Sequence, residues 1–247
     1  MAQPHLSLII PAYNEAARIG RTLQTALAYL RQQPYESELI VVDDGSTDGT
    51  AELVRRTAPE VLLVQLPRNC GKGAAVRAGM LAARGRYRVF TDADLSTPIE
   101  ELARMLECLE KGADVCVGSR ELDPSTVRRP QPAYRRWMGR LFRRIVQWLV
   151  FGELPQLRAI EDTQCGFKGF RAEVAERLFR CARLDGFGFD VELLYLAARS
   201  GLRIVQIPVL WYNDPHSRVR LLRDPLRMLI EVARIRHLHR HTMCSAG

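Results

Sequence analysis

Several absences bound this sequence before any motif is read. None of its six cysteines, Cys70, Cys108, Cys116, Cys165, Cys181 and Cys244, stands in a Cys-x-x-Cys spacing, and most sit in apolar stretches. Neither a zinc ribbon nor a disulfide framework is expected, and a reducing compartment is. No run approaches the roughly 18 to 20 apolar residues that span a bilayer. Met1-Ala-Gln-Pro-His5 carries no basic n-region and no long apolar stretch follows it, which argues against a secretory signal. Membrane contact is therefore expected to be peripheral or supplied by a partner. Internal repeats and low-complexity linkers are absent. The P-loop spacing G-x-x-x-x-G-K-[ST] is also missing, because Lys72 is followed by Gly73, so a kinase or NTPase loses its main support. Acidic residues are missing from Pro124 to Gly152, where Arg128, Arg129, Arg135, Arg136, Arg140, Arg143 and Arg144 accumulate. The formal net charge of +8 is thus a local excess. It suits nucleic acid, anionic lipid head groups or phosphorylated substrates. No helix-turn-helix, zinc or RNA-recognition signature accompanies it, so nucleic acid is not the expected partner.

What is present is enough for one sizeable core. With 247 residues, 47% of them apolar, the chain is expected to form a single domain over 1–247. Runs rich in β-branched residues at Leu6–Ile10, Glu38–Val42, Val61–Leu66, Tyr87–Thr91 and Asp114–Gly118 alternate with helix-like stretches. Asp48 can cap Gly49–Ala58, Gly71 opens a small-residue helix to Arg84, and Pro98 starts Ile99–Lys111. This predicts an α/β fold in three layers around a mixed, mostly parallel central sheet. Residues of about 5–120 form one half of it. Beyond Gly118 come a Pro-rich loop, a helix-period segment Tyr134–Phe151, the segment Asp162–Phe170, a helix around Asp190–Arg199, a strand Ile204–Val209 and a basic helix from Pro225. This second half, about 121–240, is expected to form the acceptor side.

Ligands of open α/β sheets bind outside the carboxyl ends of the strands. Here the first strand ends in Pro11-Ala-Tyr-Asn-Glu15, the second in Asp43-Asp44-Gly45-Ser46 and the fourth in Asp92-Ala93-Asp94. The Tyr13 ring can flank a base, while Glu15, Asp43 and Asp44 can accept hydrogen bonds from a base N–H or ribose hydroxyls. Asp92 and Asp94 project from one side of a strand end and can hold Mg²⁺ or Mn²⁺, which would bridge a diphosphate. Asn69-Cys-Gly71-Lys72-Gly73 turns into a helix N-terminus, where free N–H groups and Lys72 can meet an anion.

In this order, Pro11-Ala-Tyr-Asn-Glu15, Val41-Val-Asp-Asp-Gly-Ser-Thr-Asp48, Gly71-Lys-Gly73 and Asp92-Ala-Asp94 resemble the family 2 glycosyltransferases of GT-A fold. Gly118-Ser-Arg120, Asp162-Thr-Gln-Cys-Gly-Phe-Lys-Gly-Phe170 and Phe189-Asp-Val-Glu-Leu-Leu-Tyr195 narrow the resemblance to dolichyl-phosphate β-glucosyltransferases and their polyprenyl-phosphate relatives. The resemblance covers the chain from Leu6 to about Arg236. It implies a nucleotide-sugar set of Pro11, Ala12, Tyr13, Glu15, Val42, Asp43, Asp44, Gly71, Lys72, Asp92, Ala93, Asp94 and Arg218, with Asp92 and Asp94 on the metal. It implies an acceptor-phosphate set of Arg120, Arg135, Arg136 and Lys168, and a catalytic group of Asp94, Arg120, Asp162 and Lys168. Related mannosyltransferases carry Gln and Arg where this chain has Ser96 and Tyr212, which favours glucose from a UDP-sugar over mannose from GDP-mannose.

A lipid monophosphate is largely dianionic at neutral pH, because its second pKa is about 6. The nucleophile then needs no general base, and Asp162 is expected to orient rather than abstract. Lys168, flanked by Phe167 and Phe170, needs a partner or an anionic ligand. In Tyr134–Phe151, Tyr134, Trp137, Met138, Leu141, Phe142, Ile145, Val146 and Leu149 share one helical face with the Arg residues largely opposite. That is the pattern of an interfacial helix, or of a core helix with solvated arginines. With the Arg-rich tail after Arg218 it predicts reversible attachment to the cytoplasmic face of a membrane. A sugar nucleotidyltransferase is the competing enzyme class, and it would release pyrophosphate from a nucleoside triphosphate. Against it, the first strand is followed by Pro11-Ala-Tyr-Asn-Glu15 rather than a Gly-rich triphosphate loop.

Overall fold

The computed structural model describes residues 3–123, 127–129, 142, 144–150, 152, 154–212, 223–240 and 244. Its strands are β1 (Leu6–Ala12), β2 (Ser37–Asp43), β3 (Leu62–Gln65), β4 (Tyr87–Phe90), β5 (Val115–Ser119), β6 (Val127–Arg129), β7 (Lys168–Arg171), β8 (Ile204–Pro208) and β9 (Trp211–Tyr212). Its helices are α1 (Ile19–Leu30), α2 (Thr50–Thr57), α3 (Lys72–Ala82), α4 (Leu102–Glu110, after a 3₁₀ turn at Ile99–Glu101), α5 (144–149), α6 (Pro155–Arg158), α7 (Ala172–Cys181), α8 (Phe189–Arg199) and α9 (Arg223–Leu238).

Seven strands form one sheet in the order β3-β2-β1-β4-β7-β5-β8, and β6 pairs with β9 separately. Only β7 runs against its neighbours, antiparallel to both β4 and β5. The two-residue period of each strand divides the core. Leu6, Leu8 and Ile10 face the layer built by α1 and α4, and Ile9 faces the layer of α3, α7 and α8. Covered on both sides, the central strands can be apolar throughout. The small residues of α3 let it lie close to the sheet: a Cβ on Gly79 would overlap the methyls of Ile9 and Val42. Asp48 accepts the Thr50 N–H at 3.1 Å and so starts α2 as expected.

Three elements differ from expectation. The direction of β7 was not foreseen, because a four-residue strand carries no local sign of its partners. Helix α7 follows β7 with no intervening linker, and its Val174, Ala175, Leu178 and Phe179 enter the core. No disulfide framework is expected, and one pair is found: Cys181 and Cys244 form a disulfide, with Cα atoms 6.3 Å apart, while Cys70, Cys108, Cys116 and Cys165 are free. Partners 63 residues apart have no spacing signature, and only the fold brings the end of α7 to Cys244.

The basic amphipathic segment splits between the two roles considered for it. Phe142, Val146 and Val150 are buried in the core, whereas Trp148 is 79% exposed and Arg144 is exposed. Tyr134, Trp137, Met138 and Leu141 lie outside the described residues. Among the described residues no helix is long and apolar enough to cross a membrane.

Candidate active site

The carboxyl ends of β1, β2, β4 and β5 build the site. Directly after β4 the chain makes a tight turn in which Leu95, a non-glycine residue, takes the left-handed φ of 48°. The turn is fastened at each position: Asp92 O accepts the Leu95 N–H at 3.1 Å, Ala93 O accepts the Thr22 hydroxyl of α1 at 2.6 Å, and Asp94 Oδ1 accepts the Ser96 N–H at 2.9 Å. Asp92 lies against Gly166, where a Cβ would overlap both of its carboxylate oxygens. Lys72, at the N-terminus of α3, places its Nζ 2.5 Å from Asp92 Oδ1. Burial, and then the charge of Asp92, push the Asp94 carboxyl above its ordinary range. Burial alone would lower the Lys72 ammonium, but Asp92 and then Asp190 hold it above the usual lysine range.

Two acids on one turn, one destabilised by the other, form a donor set that a divalent cation relieves. Among the described residues no group of three His, Cys, Asp or Glu side chains is gathered for a metal. The pair therefore fits an ion held by one or two carboxylates, with substrate phosphate and water completing its shell.

At the ends of β1 and β2, Tyr13 is 40% exposed. The loops after β1 and β2 interlock, with the Asn14 N–H donating to Ser46 Oγ and the Thr47 N–H to Asn14 Oδ1, both at 2.8 Å. The neighbouring acids brace these loops. Asp44 accepts the N–H groups of Cys70 and Gly71 at 2.7 and 2.9 Å, yet burial still raises its carboxyl. Asp43 accepts the Ser46 N–H at 3.3 Å, and Glu15 pairs with Arg18. Glu15, Asp43 and Asp44 are all buried, with Ala12 beside them and Pro11 half-buried. Val42 is corrected: its side chain is core, packed under Gly79, and presents nothing to a ligand.

At the end of β5, Arg120 clamps Asp162 through Nε at 2.6 Å, Nη2 at 2.8 Å and its backbone N–H at 3.1 Å. Its guanidinium also lies 5.4 Å from the Trp211 ring centroid. Burial would raise the Asp162 carboxyl, but Arg120 overrides it and holds the group below the ordinary range. Asp162 is thus an anion held fixed against Arg120. Lys168 is the second correction. It is 0% exposed, donates to Cys165 O at 2.6 Å, pairs with Asp190 and sits 5.6 Å from the Phe90 ring centroid. A cation with its anion already inside the core does not face an acceptor phosphate. Arg135, Arg136 and Arg218 lie outside the described residues.

Other residues support the site from the loop that packs on α3. Loop 183–188 packs on the start of α3, where a Cβ on Gly71 would overlap Asp185 O and one on Gly73 would overlap Leu184 O. Glu192 of α8 holds this loop by accepting the Arg183 and Leu184 N–H groups, both at 2.9 Å, and His239 meets Glu192 at 2.6 Å. Glu231 of α9 accepts the Gly188 N–H at 2.9 Å. The Gly186-Phe-Gly188 pair was the one local signal of such close approach. Of the carboxylates that exploit it, Glu192 opens the helix that follows, and Glu231 is remote in sequence.

The chain matches the model of the family described as Glycosyl transferase family 2 over residues 7–179. It is 33% identical to the dolichyl-phosphate beta-glucosyltransferase of Dictyostelium discoideum, an alignment covering 94% of this chain and 74% of the relative. It is 36% identical to the Drosophila melanogaster protein of the same name, over 87% of this chain and 69% of that one. Among solved structures, it is similar to glucosyl-3-phosphoglycerate synthase from Mycobacterium tuberculosis in complex with Mn²⁺, UDP-glucose and phosphoglyceric acid. That match has a TM-score of 0.71 at 21% identity and covers 99% of this chain and 81% of that one. At such identity it speaks to fold alone.

Proposed function

Since this chain belongs to glycosyl transferase family 2 and has the GT-A fold, we propose that it transfers glucose with inversion from UDP-glucose to a dolichyl-type polyprenyl phosphate. The observation that carries the reading is the pairing of two differently charged groups at the carboxyl ends of β4 and β5, close enough for Asp92 to act on Arg120. The Asp92-Ala-Asp94 turn with Lys72 suits a diphosphate, and the Arg120 guanidinium, aimed by Asp162 and Trp211, suits a phosphate. The names of the relatives supply the sugar and the lipid.

Tyr13 offers a face to the base. Asp92 and Asp94 would hold a divalent metal, Mg²⁺ or Mn²⁺, whose chemistry is neutralisation of the charge that develops on the departing diphosphate. Arg120 orients the acceptor phosphate, whose oxygen attacks the anomeric carbon from the face opposite the leaving group. No side chain needs to take a proton, because the attacking dianion has none to lose.

A pH prediction follows from the Arg120–Asp162 clamp. Because the Asp162 pKa is lowered on folding, the clamp's contribution is complete above the ordinary carboxylate range and is lost only as pH falls through that lowered value. It does not titrate near neutrality. The acidic limb of kcat/KM is expected at about pH 6, set by the acceptor phosphate. Asp162→Asn is expected to lower the rate and leave the limb in place; a limb that moves with Asp162→Asn would show Asp162 acting as a base.

Peripheral membrane contact belongs to the same proposal. On α9, Leu226 and Ile230 are 62% and 55% exposed beside the exposed Arg227 and Arg234, a face suited to an anionic lipid surface. Leu226→Ser with Ile230→Ser is expected to weaken binding to anionic vesicles by on the order of tenfold. Turnover of a short-chain, water-soluble prenyl phosphate should be unaltered; equal vesicle binding by the variant would exclude this face. The function itself is tested with UDP-glucose, UDP-galactose and GDP-mannose against polyprenyl phosphate and phosphoglyceric acid, with Mg²⁺ or EDTA, reading products by mass. Glucosyl lipid formed only with metal is expected. Exclusive transfer to phosphoglyceric acid, or to the lipid from GDP-mannose, would overturn the assignment.

A further inference from the structure

Resting on the assignment of Asp92 and Asp94 as the metal-holding pair, the geometry points to a second function for Lys72: it is the resident counter-ion of Asp92 and competes with the metal for Oδ1. Metal and nucleoside diphosphate would then enter the site together rather than metal first.

The ammonium lies 2.5 Å from Asp92 Oδ1, an oxygen that a metal held by this pair would also draw on. Gly166 packs against one side of the Asp92 carboxylate, where even a Cβ would overlap it, and so narrows the room in which Asp92 can turn to serve both cations. A dication arriving alone must therefore expel the ammonium and leave two cations side by side, a repulsion that low-dielectric surroundings strengthen. A diphosphate removes the conflict, since its oxygens can bind the metal and the displaced ammonium at once. Lys72 also has somewhere to go. Asp190 is the next carboxylate acting on it, and Asp190 is itself fixed in the core by Lys168. Asp92–Lys72 and Asp190–Lys168 are thus two ion pairs, with the charge of Asp190 also felt by Lys72. The outer cation, Lys72, can change partners, while the Asp190–Lys168 pair, at 3% and 0% exposure, stays in place.

The test is Mn²⁺ binding, read as free Mn²⁺ by electron paramagnetic resonance, on the full chain with and without UDP. The wild-type chain is expected to bind Mn²⁺ weakly alone and on the order of tenfold or more tighter with UDP, with UDP binding strengthened by the same factor when Mn²⁺ is present. Lys72→Met is expected to bind Mn²⁺ alone on the order of tenfold tighter than wild type, with the UDP-dependent gain reduced. Lys72→Arg, which keeps the cation and checks that the helix start tolerates substitution, should retain the wild-type pattern. Lys72→Met that is folded, with an unchanged melting curve, but binds Mn²⁺ alone no tighter than wild type overturns the inference. Asp92→Asn separates this from failure of the underlying assignment: if it binds Mn²⁺ with UDP as well as wild type does, the metal site is elsewhere and both ideas fall.

Discussion

Gly166→Ala is expected to lower kcat/KM by on the order of 100-fold while leaving the chain folded, an effect as large as that of a direct active-site substitution. The reason is steric and local. The Asp92 carboxylate rests on the Gly166 Cα so closely that an added methyl overlaps both oxygens, and Asp92 must rotate or the 165–167 turn must retreat. Rotation moves Asp92 away from Lys72 and out of register with Asp94, whose position is fixed separately by the Ser96 N–H. A displacement of about 1 Å at a reacting centre is enough for a loss of this size. Steady-state kinetics beside circular dichroism decides it. Activity within threefold of wild type would show that the turn does not set the Asp92 geometry.

Lys168→Met is expected to destabilise the protein by about 3–5 kcal/mol, because it strands the buried Asp190 carboxylate without its cation. For a chain of this size that corresponds to a Tm lower by roughly 10 °C. Lys168→Met combined with Asp190→Leu removes both charges and should recover most of the loss, since a buried pair exchanged for apolar groups is often close to neutral. In the double variant the KM for polyprenyl phosphate should stay near the wild-type value. A large rise in that KM, with a Tm near wild type in Lys168→Met alone, would restore Lys168 as an acceptor ligand.

These two residues show how far local pattern carries. A lysine between Phe167 and Phe170 correctly signals a cation that needs an anion, but nothing near it in sequence says whether that anion is a ligand or Asp190 of α8. The strand ends were legible because each motif follows a short apolar run, and the sheet brings them to one edge. The acids after β2 were legible as site residues by type. Only the folded chain shows that Asp44 is already engaged by Cys70 and Gly71. The direction of β7, the Cys181–Cys244 pairing and the grip of His239 and Glu231 on Glu192 and loop 183–188 depend on contacts between distant segments, which periodicity does not encode. The segment ending in α5 was ambiguous for a different reason. A helix that buries Phe142 and Val146 while exposing Trp148 has the same amphipathic pattern as one lying on lipid.

The most direct measurement is the anomeric configuration, by nuclear magnetic resonance, of the lipid made from UDP-glucose and polyprenyl phosphate. The account predicts β-glucosyl polyprenyl phosphate, formed from the α-linked donor in one displacement by the acceptor phosphate. An α-linked product would contradict that displacement, and no glucosylated lipid in the presence of Mg²⁺ or Mn²⁺ would contradict the assigned function.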